Sequence, residues 1–328
     1  MKTTAASWTT SRTIGLLALG ATLAGPVRAE LSAEQLAKMA QNPIGNLISL
    51  PLQDNVNFNV GPETGTQNVL NIQPVIPIEL NADWNLITRT IIPVISQPGF
   101  APGQDRSNGL GDIQFTAFLS PANPSGLIWG VGAIAQLPTN SNDRLGNDRW
   151  GLGPSFVALH LDKGDPWVYG ALVNNLWSVG SGDDPSYNNF LLQPFLNYNF
   201  PDGLYLTSSP IITADWKADS DDRWTVPLGG GVGKIFHLGR LPVNTQIQAF
   251  YNVVTPDDGP DWTLRLQVNS CFRSDFLKSP ADIKALWPFN PLVDLGEPAT
   301  TAAAPTTSPT SVATASIPPL SRTCLDPT

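Results

Sequence analysis

The chain has 328 residues, of which 14% are charged and 41% hydrophobic, a charge content well below the roughly 25% of soluble globular domains. A formal net charge of −9 excludes the basic face that nucleic acid requires. With two cysteines (Cys271, Cys324) and two histidines (His160, His237), a disulfide framework and a structural zinc site are excluded, and no cofactor is implied.

Residues 1–29 read as an export signal. Lys2 and Arg12 give a basic start, Ile14 to Ala24 a short apolar core, and Val27 and Ala29 the small residues before a cut. The core is shorter than the roughly 20 residues that span a bilayer, and no later segment approaches that length. Residues 30–46 form a candidate plug: "SAEQLAKMAQ" predicts one short helix, with Ser32 as its cap and Gln35 as the capping-box partner.

From residue 47 to 272 the chain alternates with a period of two. Strands are predicted to start near Leu47, Gln67, Trp84, Gly111, Leu127, Gly151, Trp167, Asn188, Leu204, Arg223, Val243 and Asp261. About twelve strands is an even number, as bacterial outer-membrane barrels require, and predicts an all-β, antiparallel up-and-down transmembrane barrel. In "DWTLRLQVNSCF", Trp262, Leu264, Leu266 and Val268 share one face and Thr263, Arg265, Gln267 and Asn269 the other. "VNTQIQAFYNVV" and "LLQPFLNYNF" repeat the pattern. The polar face carries Asn, Gln, Thr and Ser rather than Lys and Glu, which suits a water-filled or plugged lumen better than bulk water.

The connections alternate too. "NAD", "ANPSG", "DKGD", "PDG" and "HLGRLP" are short, whereas those between them are mostly longer and acidic, as short periplasmic turns and longer outer loops would be. Trp84 and Trp167 stand beside short turns, and Trp150, Trp177, Trp216, Trp224 and Trp262 beside outer loops, which predicts two membrane-interface girdles. Pro74, Pro77, Pro93, Pro138, Pro154, Pro194, Pro210 and Pro227 fall inside or late in strands. They predict local breaks in pairing, which either set curvature and strand ends or open a lateral window.

The segments "LISLPLQDNVNFNVGP", "NIQPVIP", "DWNLITRTIIPV", "SSPIITADWKA", "DRWTVPLGGGVGKIF" and "AFYNVVTPDDGPDW" resemble the bacterial outer-membrane transporter family labelled "MetA-pathway of phenol degradation", whose members are often misnamed neuromedin U. The resemblance runs from about Leu36 to Gln267. It implies an outer-membrane β-barrel associated with uptake of aromatic or other apolar compounds, and it brings no catalytic residues. Members usually end at an aromatic residue read by the barrel-assembly machinery. Phe272 would be that residue, yet the chain continues to Thr328 through a low-complexity tail, 273–328, expected to be disordered; a periplasmic tail and a frameshift near Asn269 both remain open.

"GGGVGK" is not a phosphate loop, because Leu228 and Ile235 stand where glycine and Ser or Thr are needed. Gly229, Gly231 and Gly233 instead share a strand face, as do Gly130 with Gly132 and Gly151 with Gly153; such stripes either make room in the lumen or permit sharp coiling. His160 and His237 fall at short turns without a serine motif, so no enzyme is expected. The acidic groups Asp183–Asp184, Asp219–Asp221–Asp222 and Asp257–Asp258–Asp261 read as solvated loop charge or as Ca²⁺ ligands. Arg89, Arg265, Asp112, Asp215 and Lys217 are lumen or rim charges that would set ion preference, with Gln193, Asn197, Gln246 and Gln248 as polar lining. The expected function is passive passage of small apolar or aromatic molecules; the alternative is a closed structural or binding barrel. Expected partners are outer-membrane lipid and lipopolysaccharide, the barrel-assembly machinery and a small permeant.

Overall fold

The computed structural model describes residues 33–272 except 102, 125, 239 and 240. The export signal, Ser32 and the tail 273–328 lie outside the described residues. After one helix, α1 (Ala33–Ala40), the chain forms fifteen strand segments in a single antiparallel sheet. These are β1 (Ile48–Val60), β2 (Gly65–Ile72), β3 (Val75–Glu79), β4 (Trp84–Gln97), β5 (Ser107–Leu110), β6 (Ile113–Pro121), β7 (Leu127–Leu137) and β8 (Trp150–Leu161). They continue as β9 (Trp167–Val179), β10 (Asn188–Asn199), β11 (Leu204–Ser208), β12 (Ile212–Asp215), β13 (Trp224–Leu238), β14 (Leu241–Val254) and β15 (Trp262–Phe272).

The sheet is closed. β1 pairs with β15 from Ile48↔Phe272 to Phe58↔Trp262, and β9 pairs with β10, so no edge remains. Three strands are each broken in two, β2/β3, β5/β6 and β11/β12, which reduces the fifteen segments to a twelve-stranded barrel. The number of strands is as the period-two pattern predicts, and they start within four residues of the expected points, the largest difference being Ser107 for Gly111.

Alternation places one face of each strand inside. Gln53, Asn55, Asn244, Gln248 and Arg265 are buried, whereas Leu52, Leu152, Leu206, Leu228, Val232 and Ile247 stand exposed on the outer face. Soluble proteins rarely expose so continuous an apolar surface, and a closed sheet with an apolar exterior satisfies its backbone within lipid. No helix among the described residues is long and apolar enough to cross a membrane; the strands do so. Asp54, midway along β1, is an exception on the outward face: its Oδ1 accepts a 2.7 Å hydrogen bond from Asn68 Nδ2.

Both ends of the barrel strands, Ile48 and Phe272, lie with the short turns, and the longer loops 98–106, 138–149, 180–187 and 216–223 lie at the opposite mouth. Aromatic clusters mark each end. Trp84 meets Trp129 at 6.0 Å and Trp167 meets Tyr198 at 4.9 Å near the short turns. Trp216 meets Trp224 at 5.4 Å, and Tyr251 meets Trp262 at 5.0 Å, near the loops. Trp150 and Trp177 are exposed at that end.

The prolines behave in three ways. Pro74 and Pro210 lie in the gaps between β2 and β3 and between β11 and β12. Register is nevertheless kept across both, since Ile72↔Ile92 is followed by Val75↔Arg89, and Leu196↔Ser208 by Leu192↔Ile212. Pro77, Pro93, Pro154, Pro194 and Pro227 remain in ladders, with a register shift only at Val226/Pro227. At Pro154 the ladder to β9 lapses between Leu152↔Trp177 and Ser155↔Asn174 while Pro154↔Ala133 holds on the other side. Pro138 falls just beyond β7 rather than inside it, and helps to open the turn into loop 138–149. The extra residue in the wall sits opposite Pro93: four steps from Leu110 to Gln114 face three from Val94 to Ile91, a bulge at Gly111–Asp112.

Candidate functional site

α1 enters the end of the barrel that holds the termini. Ala37 is fully buried with Tyr205 and Ile235, flanked by Leu36 and Ala40. Gln41 and Asn199 exchange side-chain hydrogen bonds of 2.8 and 3.1 Å. Beyond the helix, Ile44 is buried among Val75, Ile87, Phe118, Val157 and Leu172, an apolar arc on one side of the lumen. Its depth is set by Gly130, where a Cβ would press on Ile44 Cδ1 at 3.3 Å. Gly233 serves Tyr205 in the same way, since a Cβ there would overlap the ring. The Tyr205 hydroxyl, wholly buried, donates a 2.7 Å hydrogen bond to Asn244 Oδ1 across the gap between β11 and β14. Tyr205→Phe should therefore lower the stability of the folded barrel by about 1–2 kcal/mol, because it leaves a buried carboxamide oxygen unpaired; urea unfolding in lipid vesicles checks this.

Three chambers occupy the lumen. The first, about 140 Å³, lies under the end of α1 and is lined by Gln41, Gln53, Arg89, Gln193, Asn197 and Gln246. A second, about 240 Å³, lies further toward the loops and carries Arg89, Asp112, Gln193, Thr116, Ser155 and Leu191. Gln53, Gln73, Arg89, Leu172 and Gln193 border both, so these five residues form the waist between them. The third, also about 240 Å³, is a side chamber between Arg265, Phe250, Asn55, Thr225 and Pro227, and Ile211 separates it from the second.

The charged groups are placed unequally. Arg89 Nη2 donates to Gln73 Oε1 at 2.6 Å. Arg265 is buried, lies over the Phe250 ring at 4.9 Å, and donates through Nε to Asn55 Oδ1 at 2.9 Å and through Nη1 to the Ser209 carbonyl at 2.7 Å. Ser209 reaches inward because it lies in the β11/β12 break, and its N–H donates to Gln248 Oε1 at 3.0 Å. Arg265, Ser209 and Gln248 thus form a bar across one side of the lumen. Among the described residues, no carboxylate lies within ion-pair distance of either arginine.

Asp112, which shares the second chamber, is engaged by loop 138–149. Its carboxylate accepts the backbone N–H groups of Thr139 (3.2 Å), Asn140 (3.2 Å) and Asn147 (2.8 Å), and Gln136 Nε2 at 3.1 Å. With Leu145 buried beside it and Tyr187 packed on Ile134 and Leu176, this carboxylate anchors the loop at the outer rim. Asp112→Ala should speed tryptic cleavage at Arg144 about tenfold, through local opening of the loop. Asp215 and Lys217 stand exposed at the loop end, where Asp215 Oδ1 accepts the Lys217 N–H at 2.9 Å and Lys217 Nζ donates to Ser186 Oγ.

The acidic loop residues staple loops together. Asp148 Oδ1 and Oδ2 accept the Asp184 and Asp183 N–H groups, and Asp222 Oδ1 accepts the Asp257 N–H at 2.8 Å. No group of three or more metal-ligating side chains converges among the described residues. His160 Nε2 lies 3.1 Å from Asp165 Oδ2, and its ring stacks on Tyr169. The Trp167 N–H, then the His160 side chain, hold the Asp165 carboxyl below the usual carboxylate range; the order this gives the turn is kept above the unfolded carboxylate pKa and is lost as pH falls through the folded one.

A closed wall, an apolar exterior, and short turns at the end that holds Ile48 and Phe272 define a transmembrane β-barrel of the bacterial outer-membrane type. The fold is similar to that of an outer membrane channel from Pseudomonas putida F1, with a TM-score of 0.53 and 18% identity over 69% of this chain and 94% of that one. The NanC porin aligns with a TM-score of 0.46 and 9% identity over 68% of this chain and 98% of that one. Outer membrane phospholipase A from Escherichia coli aligns with 0.38 and 13% over 74% and 98%. No family model matches the chain, and no curated protein matches it.

Proposed function

We propose that the barrel is a passive outer-membrane route for small apolar or aromatic molecules, as its resemblance to the phenol-degradation transporters implies. The observation that carries this reading is the apolar arc of the lumen. Val75, Leu172 and Phe195 line the first chamber, and Leu172, Leu191, Ile91, Ile134 and Ile211 line the second. The opposite wall is carboxamide, so a permeant meets one greasy side and one wet side. A cavity of about 150 Å³ suffices for benzene, and the chambers of about 140 and 240 Å³ are on that scale.

The test is uptake of an apolar dye, N-phenylnaphthylamine, by cells whose lipopolysaccharide layer otherwise excludes it. Expression of the barrel should raise the initial rate severalfold; an unchanged rate with the folded barrel in the outer membrane would overturn the reading. A closed structural barrel is the second reading, favoured by Ile44 packed inside one end and by loop 138–149 anchored to Asp112 at the other. Under that reading uptake stays at the background rate.

A further inference from the structure

We propose that the lumen is selective for organic anions, a carboxylate head on a small apolar or aromatic body, and that Arg89 and Arg265 are the two stations for the head. The inference rests on the reading of the barrel as a route for small apolar or aromatic molecules, and narrows it to one charge type.

A guanidinium cannot shed its proton in a protein, and withdrawing it from water without a counter-charge is expensive. Arg265 is 4% exposed and has no acidic partner among the described residues. Its contacts are a carboxamide oxygen, a carbonyl and an aromatic face, which position the group without neutralising it. Arg89 sits at the waist between two chambers, and among the described residues a single glutamine oxygen is its hydrogen-bond partner. Asp112, the carboxylate in the second chamber, is already occupied by three backbone N–H groups and Gln136. The chain is acidic overall, yet its three lumen chambers are lined by two guanidiniums, Arg89 and Arg265, and one carboxylate, Asp112, a net positive charge.

The surroundings match an amphiphilic anion rather than a bare inorganic ion. Arg89 and Leu172 both border the waist, and in the second chamber the Ser155 hydroxyl, 2% exposed, has no hydrogen-bond partner among the described residues. It is a free donor in a chamber that Arg89 also lines. In the side chamber Arg265 shares the lining with Phe250, Pro227, Ile211 and Val69 on one part and with Asn55, Asn57, Asn252 and Thr225 on the other, an amphipathic wall with one charged corner. Guanidinium N–H groups match the geometry of a carboxylate, and an amine would meet repulsion at both stations.

Calorimetric titration of the detergent-folded mature chain tests this with three probes of one shape: benzoate, benzyl alcohol and benzylammonium. Benzoate should bind at least tenfold more tightly than benzyl alcohol, and benzylammonium not at all. Arg89→Gln and Arg265→Gln should each weaken benzoate about tenfold or more, the scale of one lost hydrogen bond to a charged group, and leave benzyl alcohol unchanged. Arg265→Lys keeps the charge and should retain most of the preference, which guards against a variant that merely misfolds. Equal affinity for benzoate and benzyl alcohol, no benzoate binding, or Gln variants that bind benzoate as the unaltered chain does would each overturn the proposal. The dye-uptake assay separates the two readings: uptake without charge discrimination removes only the anion preference, and benzoate binding without uptake removes the route.

Discussion

Gly153→Val should leave a chain that fails to form the folded barrel, seen as loss of the heat-dependent shift in electrophoretic mobility. A Cβ at Gly153 would run into the carbonyl oxygen of Asn175 on the neighbouring strand, and Asn175, although unpaired on that side, is main chain held by its pairing with Phe190 on β10. The same holds at Gly132 against the Ala117 carbonyl and at Gly231 against that of Ile247. Overpacking a well-ordered interior costs about 1–3 kcal/mol when side chains can adjust, and more where the obstacle is main chain. Gly45→Ala, where the nearest atoms lie at 3.5 Å, is the matched harmless change. Normal folding of Gly153→Val would show that this glycine marks spare lumen volume instead of close approach of the wall.

Removal of residues 30–46 should have the second large effect, with two readouts. Entry of a small sugar into liposomes should rise about tenfold, because the end of α1 roofs the first chamber and Ile44 fills the apolar arc beside it. Stability should fall by several kcal/mol, since burying one Leu or Ile side chain is worth about 1.5–3 kcal/mol and Leu36, Ala37, Ala40 and Ile44 all lose their contacts. The barrel should still close, because every ladder lies within residues 48–272. Unchanged sugar entry would place the constriction at the Arg89 waist or under loop 138–149, and unchanged stability would remove the segment from the lumen altogether.

The walls of the barrel were legible in the sequence because a half-buried strand announces itself locally. In β15, Leu264 and Leu266 alternate with Arg265 and Gln267, and the structure sends the first pair out and the second in. The prolines were harder. A broken strand and a kept register look alike in one dimension, and only the partner residues, Ile92 and Arg89 for the Pro74 break, tell them apart. The glycine stripes allowed two readings, and the backbone carbonyls opposite Gly132 and Gly153 favour close coiling, while Gly130 and Gly233 make room for Ile44 and Tyr205.

What crosses the lumen was not legible. Arg265 and Ser209 are 56 residues apart and Gln41 and Asn199 are 158 apart, and no periodic signal links such positions. Asp112 read as a free lumen charge because nothing local shows that Asn147, 35 residues on, returns to it. Ile44 lies in a stretch with neither strand nor helix period, so its burial followed only once the wall around it was closed. Asp54 was overlooked for the opposite reason: the period of β1 places it correctly on the outer face, where a carboxylate is unexpected.

Passage through the barrel needs a water-filled path, and single-channel conductance of the refolded mature chain in a planar bilayer tests for one most directly. Small, discrete current steps are the predicted result, as expected of a lumen narrowed by Ile44 at one end and by Arg89 at its waist. Sustained silence from chains shown to be folded and inserted would contradict it.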